Sequence, residues 1–223
     1  MPRISRAVAK GYPHHIIQRG NNRESVFFDD EDRKQYLSLL KKYSEKWSAP
    51  VLAYCLMSNH VHLMVKPLSD DSLYKMMQGL TLCYTQYVNR KYQRTGRLWE
   101  SRYHSCIVDK EQYLWAVARY IEQNPVRAKI VKKAETYPYS SAETHVKGAE
   151  DTVLGEELFS NDRRGDYISM LRSSLTEEEK EAMRYHTRAG RPFGNDDFVY
   201  GMEKKLKRPL ARRLRGRPKK ERA

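Results

Sequence analysis

The sequence has few cysteines and no long apolar run. Cys55, Cys83 and Cys106 are its three cysteines, and their odd number, wide spacing and apolar surroundings argue against a disulfide framework or a thiolate zinc site. The longest apolar run, Val51 to Met57, has seven residues, whereas a helix that spans a bilayer needs about 20. No apolar stretch follows the early basic residues, as it would in a signal peptide. We therefore expect a cytoplasmic protein that makes no membrane contact.

Acidic residues are also too few to balance the basic ones. The chain has 42 Lys and Arg against 28 Asp and Glu, a formal charge of +14, which favours a polyanionic partner. Residues 203–223 alone carry a net +9 and are too poor in apolar residues to form a core. Within them, the segment GRPKK and the arginine before it resemble an AT-hook for A·T-rich DNA, although a nonspecific electrostatic tether is the commoner role of such a tail. The candidate DNA contacts there are Arg215, Arg217, Lys219 and Lys220.

Apolar periodicity predicts the order of the structural elements. Strand signals at 13–18, 51–57, 60–66 and 102–108 alternate with helix signals at about 30–47 and 73–88, and a further helix ends near Pro125. Ser58-Asn59 is a plausible hairpin turn between the second and third strands. The order βαββαβ predicts an α+β fold with a ferredoxin-like antiparallel sheet, helices on one face and the third strand in a central position.

Three regions follow from these signals. Residues 1–133 are predicted to form the main domain. It contains the βαββαβ elements and the following helix, which an Asp109–Gln112 capping box would begin. Residues 134–202 carry turns and polar helices, including a Thr176–Glu179 capping box, and are predicted to form a C-terminal helical extension. Residues 203–223 are the basic tail, which we expect to be disordered.

Two histidines two residues apart are the most informative feature. Side chains alternate along a strand, so His60 and His62 lie on one face while Val61 points to the other. In the helix that ends near Pro125, Tyr120 and Asn124 are spaced i and i+4 and share a face. If that face packs over the histidine strand, a cation bound there would lie beside a tyrosine nucleophile, an arrangement suited to phosphodiester transfer.

The donor set points to a divalent cation that accepts mixed ligands. Imidazole suits Mn²⁺, and Mg²⁺ can be accepted when phosphate and water complete the shell. Taken alone, two histidines on a strand are more often a partly buried, hydrogen-bonded pair, and one of 16 tyrosines is more often a core or surface residue. The spacing between the two motifs favours a catalytic metal site over these commoner roles.

Four separated motifs resemble one family. MSNHVHLMV at 57–65, YIEQNPVRAKIV at 120–131, IIQRGNNRESVFF at 16–28 and GRLWESRYHS at 96–105 together resemble the single-tyrosine HUH transposases, which are IS200-like, and most of all their REP-associated tyrosine transposase branch. The likeness covers roughly residues 10–145, with its motifs in consistent order.

The resemblance implies roles for these residues. His60, His62 and Asn124 are the expected ligands of Mg²⁺ or Mn²⁺, and Tyr120 is the expected nucleophile. The tyrosine attacks single-stranded DNA beside a hairpin, becomes joined to a 5′-phosphate and leaves a free 3′-hydroxyl. Ser58 replaces a proline common in such proteins, which alters the hairpin turn rather than the ligands. A monomer is favoured, although related enzymes exchange the tyrosine helix within a dimer.

Further DNA contacts are expected around this site. A polar loop after the first strand could bind phosphates or base edges, and its candidate residues are Arg19, Asn21, Asn22 and Arg23. Arg102 lies in a segment that mixes aromatic and cationic groups, as a platform for unpaired bases would. Core packing is the better interpretation of Trp99, and His104 is a spare imidazole that could assist proton transfer.

Two other functions remain open from the sequence. A hairpin-binding regulator that keeps the fold but does not turn over would bind the same DNA without forming a covalent adduct. An RNA-binding ferredoxin-like module would explain the basic tail, but it assigns no role to the histidines and the tyrosine.

Overall fold

A four-stranded antiparallel sheet forms the centre of the fold. The computed structural model describes residues 6–109 and 113–210. The strands are β1 (His14–Arg19), β2 (Val51–Met57), β3 (His60–Val65) and β4 (His104–Ile107), in the order β2-β3-β1-β4. The predicted α+β fold with a ferredoxin-like sheet is confirmed, and β3 is a central strand as expected. Ser58 and Asn59 form the turn of the β2-β3 hairpin, in which Met57 pairs with His60.

Two long helices cover one face of the sheet. They are α1 (Asp30–Lys46) and α2 (Ser72–Lys91). Val61, Leu63 and Val65 of β3 belong to the apolar core beneath them. The odd-numbered residues of β3 therefore point to this face, which leaves the even-numbered residues, including both histidines, for the other.

Local sequence signals set the position of α1. Asp29 caps the helix and forms a reciprocal capping box with Asp32, which satisfies backbone donors at the helix start. Asp32 is fully buried and forms an ion pair with Lys91 of α2. At Gly79 an added Cβ would lie 2.3 Å from the Tyr43 ring, so the close approach of α2 to α1 depends on the absence of a side chain there.

The C-terminal half of the chain covers the opposite face. Its helices are α3 (Leu114–Glu122), α4 (Asn124–Arg127), α5 (Ala142–Lys147), α6 (Arg164–Arg172), α7 (Glu177–Ala189) and α8 (Asp196–Leu206). A second core forms where Met64 of β3 and Cys55 of β2 meet Val117 and Ile121 of α3. The expected capping box of Thr176 and Glu179 begins α7. None of the helices in the described residues is long and apolar enough to cross a membrane.

Some predicted boundaries differ from the structure. The fourth strand begins at His104, two residues later than the sequence signal, so Arg102 precedes it. The boundary placed at residue 203 lies inside α8, which continues to Leu206 because Met202 and Leu210 pack into a small apolar cluster with the N-terminal segment. Residues 110–112, which include most of the proposed Asp109–Gln112 capping box, lie outside the described residues, as do residues 211–223 of the tail.

A buried carboxylate on α3 forms hydrogen bonds to α5 and α6. Glu122 is fully buried and accepts hydrogen bonds from the Ser141 hydroxyl at 2.5 Å, from Nδ1 of His145 at 2.6 Å and from the Tyr167 hydroxyl at 2.8 Å. Because Ser141 directly precedes α5, His145 lies on α5 and Tyr167 lies on α6, one side chain holds both helices against α3.

Replacing Glu122 by Ala is expected to destabilise the protein strongly. Three buried donors would lose their acceptor, which costs about 3 kcal/mol or more of the free energy of unfolding. Glu143→Ala is the matched control, since Glu143 of the same region forms an exposed pair with Lys147, and losing such a pair should change the free energy of unfolding little. Urea unfolding followed by circular dichroism measures both. Equal effects of the two substitutions would contradict this view of Glu122.

Candidate active site

The two histidines of β3 lie on the sheet face that the C-terminal helices cover. His60 and His62 have ring centroids 5.1 Å apart, as expected from residues two apart on one strand. His62 is nearly buried, and His60 is partly exposed at the hairpin end of the strand. The alternation predicted from the sequence is thus observed.

Helix α3 brings Tyr120 to this pair. The Tyr120 ring lies 5.7 Å from the His62 ring, centroid to centroid, in an edge-to-face arrangement, and it is 4% exposed. All three side chains line one pocket. The residues therefore converge across 58 positions of sequence, and one chain supplies all of them.

Each histidine of the pair has its Nδ1 occupied by a neighbour. Nδ1 of His60 lies 2.6 Å from Oδ1 of Asn59, and Nδ1 of His62 lies 3.0 Å from Nε2 of His15 on β1. Hydrogen bonds of this kind orient imidazole ligands in metal sites. They leave Nε2 of both rings as the nitrogen available for a ligand in the pocket.

Burial keeps these rings neutral. It lowers the pKa of His60 to about 4, with Arg19 and Arg127 adding to the effect, and it lowers the pKa of His15 to about 3. The pKa of His62 falls well below its usual value, chiefly because of burial and then because of His60. A neutral imidazole is the form that binds a metal.

Pro125 fixes the orientation of the Asn124 amide. In a helix the Ile121 carbonyl would accept from the backbone N–H of residue 125, but proline has none. The Asn124 Nδ2 group supplies that bond at 2.9 Å and also donates to the Tyr120 carbonyl at 3.0 Å. Its Oδ1 is left to accept from Nη2 of Arg127 at 2.8 Å.

The donor set fits a divalent cation of the Mn²⁺ or Mg²⁺ type. Two imidazole nitrogens are available, and the Asn124 oxygen keeps one lone pair beside its bond to Arg127. No group of three or more His, Cys, Asp or Glu side chains able to hold a metal occurs in 6–109 or 113–210. Among the described residues, the Asn124 oxygen is a candidate third ligand, and a donor set of two imidazoles and an amide oxygen is unlike that of a zinc site.

Arg127 binds the tyrosine as well as the amide. Its guanidinium carbon lies 4.4 Å from the centre of the Tyr120 ring, and Nη1 donates to the Tyr120 carbonyl at 2.9 Å. The cation–π contact and this hydrogen bond hold a positive charge against the phenol. Burial lowers the pKa of Arg127, and the proximity of Tyr120 opposes that shift.

The pocket is strongly basic. It has a volume of about 620 Å³ and is lined by five arginines and one carboxylate, that of Glu100. The arginines come from four parts of the chain: Arg19, Arg23, Arg127, Arg184 and Arg188. An excess of fixed positive charge in a concave site attracts a polyanion such as a nucleic-acid backbone.

The predicted site residues are only partly assembled here. The pocket contains Arg19 and Arg23 but not Asn21 or Asn22, which lie on the short 3-10 helix Asn21–Arg23. Arg102 lines a separate pocket.

Other expectations have mixed outcomes. Trp99 packs in the core against Tyr36 and Tyr84, as expected. His104 is exposed and lines the pocket. The tail candidates Arg215, Arg217, Lys219 and Lys220 lie outside the described residues.

Sequence reasoning missed several contributors. His15 faces the site because β1 alternates like β3, a signal that was present in the strand pattern. Arg127 follows Asn124 at i+3, a helical spacing, but Pro125 was interpreted only as the end of a helix. Arg184 and Arg188 share a face at i and i+4, and nothing local indicates that this face of α7 lines the pocket.

Comparison with known proteins identifies the family. The model of the family described as "Transposase IS200 like" matches residues 9–124, a range that contains both histidines, Tyr120 and Asn124. A putative REP-associated tyrosine transposase from Haemophilus influenzae is 25% identical over 123 residues, covering 51% of this chain and 70% of that protein.

A solved structure shares the fold. It is a REP-associated tyrosine transposase bound to a REP hairpin, with a TM-score of 0.56 and 18% identity, covering 72% of this chain and 94% of the other. The resemblance found in the sequence motifs is thereby confirmed. This chain belongs to the IS200-like transposase family and is a DNA transposase, similar to the REP-associated tyrosine transposases.

Proposed function

We propose that this protein cleaves single-stranded DNA beside a hairpin and transfers the strand through a 5′-phosphotyrosine intermediate, in a reaction that needs a divalent metal. The observation that carries the proposal is the placement of the Tyr120 ring 5.7 Å from that of His62, with Arg127 against its face. On this proposal, the nucleophile, a pair of metal ligands and a guanidinium that binds phosphate share one pocket.

The chemistry is a displacement at phosphorus. The Tyr120 hydroxyl oxygen forms a bond to the phosphorus while the bond to the 3′-oxygen breaks. The phenolic proton passes to solvent in the open pocket, and the departing 3′-oxygen takes up a proton. The number of phosphodiester linkages is unchanged, so a strand hydroxyl can later reverse the step and rejoin DNA.

The chain's own residues prepare this step. Arg127 stacks on the ring and can stabilise negative charge that develops on the phenol oxygen and on the phosphate. His60, His62 and Asn124 would hold the cation, which when bound would make the phosphorus more electrophilic and offset the charge on the leaving oxygen. Packing of α3 against the sheet fixes the tyrosine before substrate arrives, which removes an entropic cost from the barrier.

Pocket shape and charge support an unpaired strand as substrate. A volume of about 620 Å³ is typical of pockets for small ligands, which suits the nucleotides of an unpaired strand better than a duplex. The similar solved structure holds a REP hairpin; we propose that this chain likewise binds a hairpin next to the cleaved strand. A complete site within one chain supports a monomer.

A covalent adduct tests the proposal. Purified protein is incubated with labelled oligonucleotides that carry a hairpin and a single-stranded flank, with Mn²⁺, Mg²⁺ or EDTA, and resolved on a denaturing gel. We expect a slow-migrating protein–DNA band with either cation and none with EDTA. Binding without any adduct would contradict the proposal and favour a hairpin-binding regulator.

The two arginines of α7 are expected to bind the DNA backbone. Arg184 and Arg188 are exposed and line the pocket, so the double Gln variant should bind hairpin DNA roughly tenfold more weakly, whatever its sequence, and the slope of log K against log salt should fall by about two. Fluorescence anisotropy at several salt concentrations measures both quantities.

Arg90→Gln is the control for this measurement. Arg90 is an exposed arginine on α2, on the other side of the sheet. Its substitution should leave the salt slope unchanged. A double variant with the wild-type slope would show that α7 does not contact phosphates.

A further inference from the structure

A third buried histidine lies behind the histidine pair, and it connects the site to the C-terminal extension. His15 of β1 is fully buried. Its ring is parallel to that of His62, with 5.3 Å between centroids and an interplanar angle of 11°, and it also contacts the Tyr120 ring edge-on at 5.7 Å. Its two nitrogens bond to two different partners, Thr187 of α7 and His62.

The direction of these hydrogen bonds is set at Thr187. The Thr187 hydroxyl donates to the Met183 carbonyl at 2.8 Å, which can only accept. Because a hydroxyl has one proton, Thr187 then accepts the hydrogen bond from Nδ1 of His15 at 2.8 Å, and also that from the Cys106 thiol at 3.4 Å. His15 therefore carries its proton on Nδ1.

The proton position on His15 determines the proton position on His62. A fully buried imidazole without a counter-charge stays neutral, so Nε2 of His15 has no proton and accepts from Nδ1–H of His62 at 3.0 Å. His62 is then also an Nδ1–H tautomer, and its Nε2 lone pair is free. If every bond ran the other way, Nε2 of His62 would carry a proton and could not bind a cation.

We infer that His15 and Thr187 are positioning residues that hold His62 in its metal-binding tautomer through the relay Met183, Thr187, His15, His62. This inference rests on the proposed function only for the use of the tautomer, which is to bind a metal. The tautomer itself is a property of the metal-free protein. It gives the C-terminal extension a role in the catalytic site: α7 supplies the hydroxyl that sets the proton on a ligand of β3.

The tautomer can be measured directly. In metal-free protein labelled with ¹⁵N-histidine, long-range ¹H–¹⁵N correlation spectra distinguish the two neutral forms, and His62→Gln assigns the signal. We expect the Nδ1–H form for both His15 and His62. An Nε2–H form for His62 in the wild type would overturn the inference, with no variant needed.

A pair of Thr187 variants tests the cause. Thr187→Val keeps the shape but removes the hydroxyl, so His15 loses its acceptor; the proportion of Nε2–H His62 should rise and Mn²⁺ affinity, measured by calorimetry, should fall by about 10–100-fold. Thr187→Ser keeps the hydroxyl and should restore both readouts. If Thr187→Val left the tautomer and the affinity unchanged, the relay would be disproved.

These outcomes separate the relay from the proposed chemistry. Nδ1–H tautomers and Mn²⁺ binding without any DNA adduct would leave the relay standing and reject strand cleavage. A metal-dependent adduct together with Nε2–H His62 would support strand cleavage and reject the relay.

Discussion

Tyr120→Phe is expected to abolish the covalent protein–DNA adduct, lowering its rate of formation by about three orders of magnitude or more. The substitution removes only the hydroxyl oxygen that attacks phosphorus. The ring would keep its edge-to-face contacts with His15 and His62 and its place under Arg127. Hairpin DNA should therefore bind the variant almost as tightly as the wild type, so the loss is one of chemistry rather than of binding.

Tyr74→Phe is the matched control for this substitution. Tyr74 is 53% exposed on α2, and its loss of a hydroxyl should leave the adduct unchanged. Rates are measured under single-turnover conditions with labelled hairpin oligonucleotide and Mn²⁺. Adduct formation by the Tyr120→Phe variant at the wild-type rate would show that another residue is the nucleophile.

Removing the cation or its ligands should have the second largest effect. EDTA is expected to eliminate the adduct and added Mn²⁺ to restore it. His62→Ala should lower the rate about 100-fold or more, since the phosphate would lose charge stabilisation in the transition state. His60→Ala should act in the same direction. Calorimetry on the DNA-free variants should show weaker Mn²⁺ binding in parallel.

An imidazole outside the pocket provides the control for the ligand variants. His186 of α7 is half-buried, and its Nδ1 bonds to the Pro192 carbonyl. His186→Gln should leave Mn²⁺ affinity and the adduct rate close to those of the wild type. Full adduct yield in EDTA, or full Mn²⁺ affinity in His62→Ala, would refute the assignment of the cation to this pair.

The sheet and the orientation of the histidines could be predicted because their signals are local. Apolar periodicity fixed the order of elements, and strand alternation placed His60 and His62 on one face. The capping box at Thr176 marked the start of α7 correctly. These features depend on neighbours within a few residues, which a single sequence displays.

The wall of the pocket could not be predicted because it depends on long-range packing. Thr187 meets His15 across 172 positions, and α7 carries Arg184 and Arg188 to the site only because it packs against β4 and β1. The i, i+4 spacing places Asn124 on the helix face of Tyr120, and the family resemblance assigns it the role of third ligand. Its amide donates to the Ile121 carbonyl, in place of the N–H that Pro125 lacks, a contact that is seen only in the structure.

The proposed DNA contact of Arg102 was predicted from the composition of its segment, and its location depends on where strand β4 begins. Its segment has the composition of a base-stacking platform, but strand β4 begins only at His104. Arg102 therefore precedes the strand and lines a separate pocket with Arg6 and Arg208. Composition indicated nucleic-acid binding, but without the strand boundary it could not indicate which surface the side chain joins.

Mass spectrometry of the adduct tests the central claim most directly. The protein–DNA complex formed with Mn²⁺ is digested with nuclease and trypsin, and the peptide that retains a nucleotide is sequenced. Because Arg119 precedes Tyr120, tryptic cleavage gives the peptide YIEQNPVR, residues 120–127. The account predicts a nucleotide joined to Tyr120 of this peptide through its 5′-phosphate. A nucleotide on any other tyrosine, or no modified peptide at all, would contradict it.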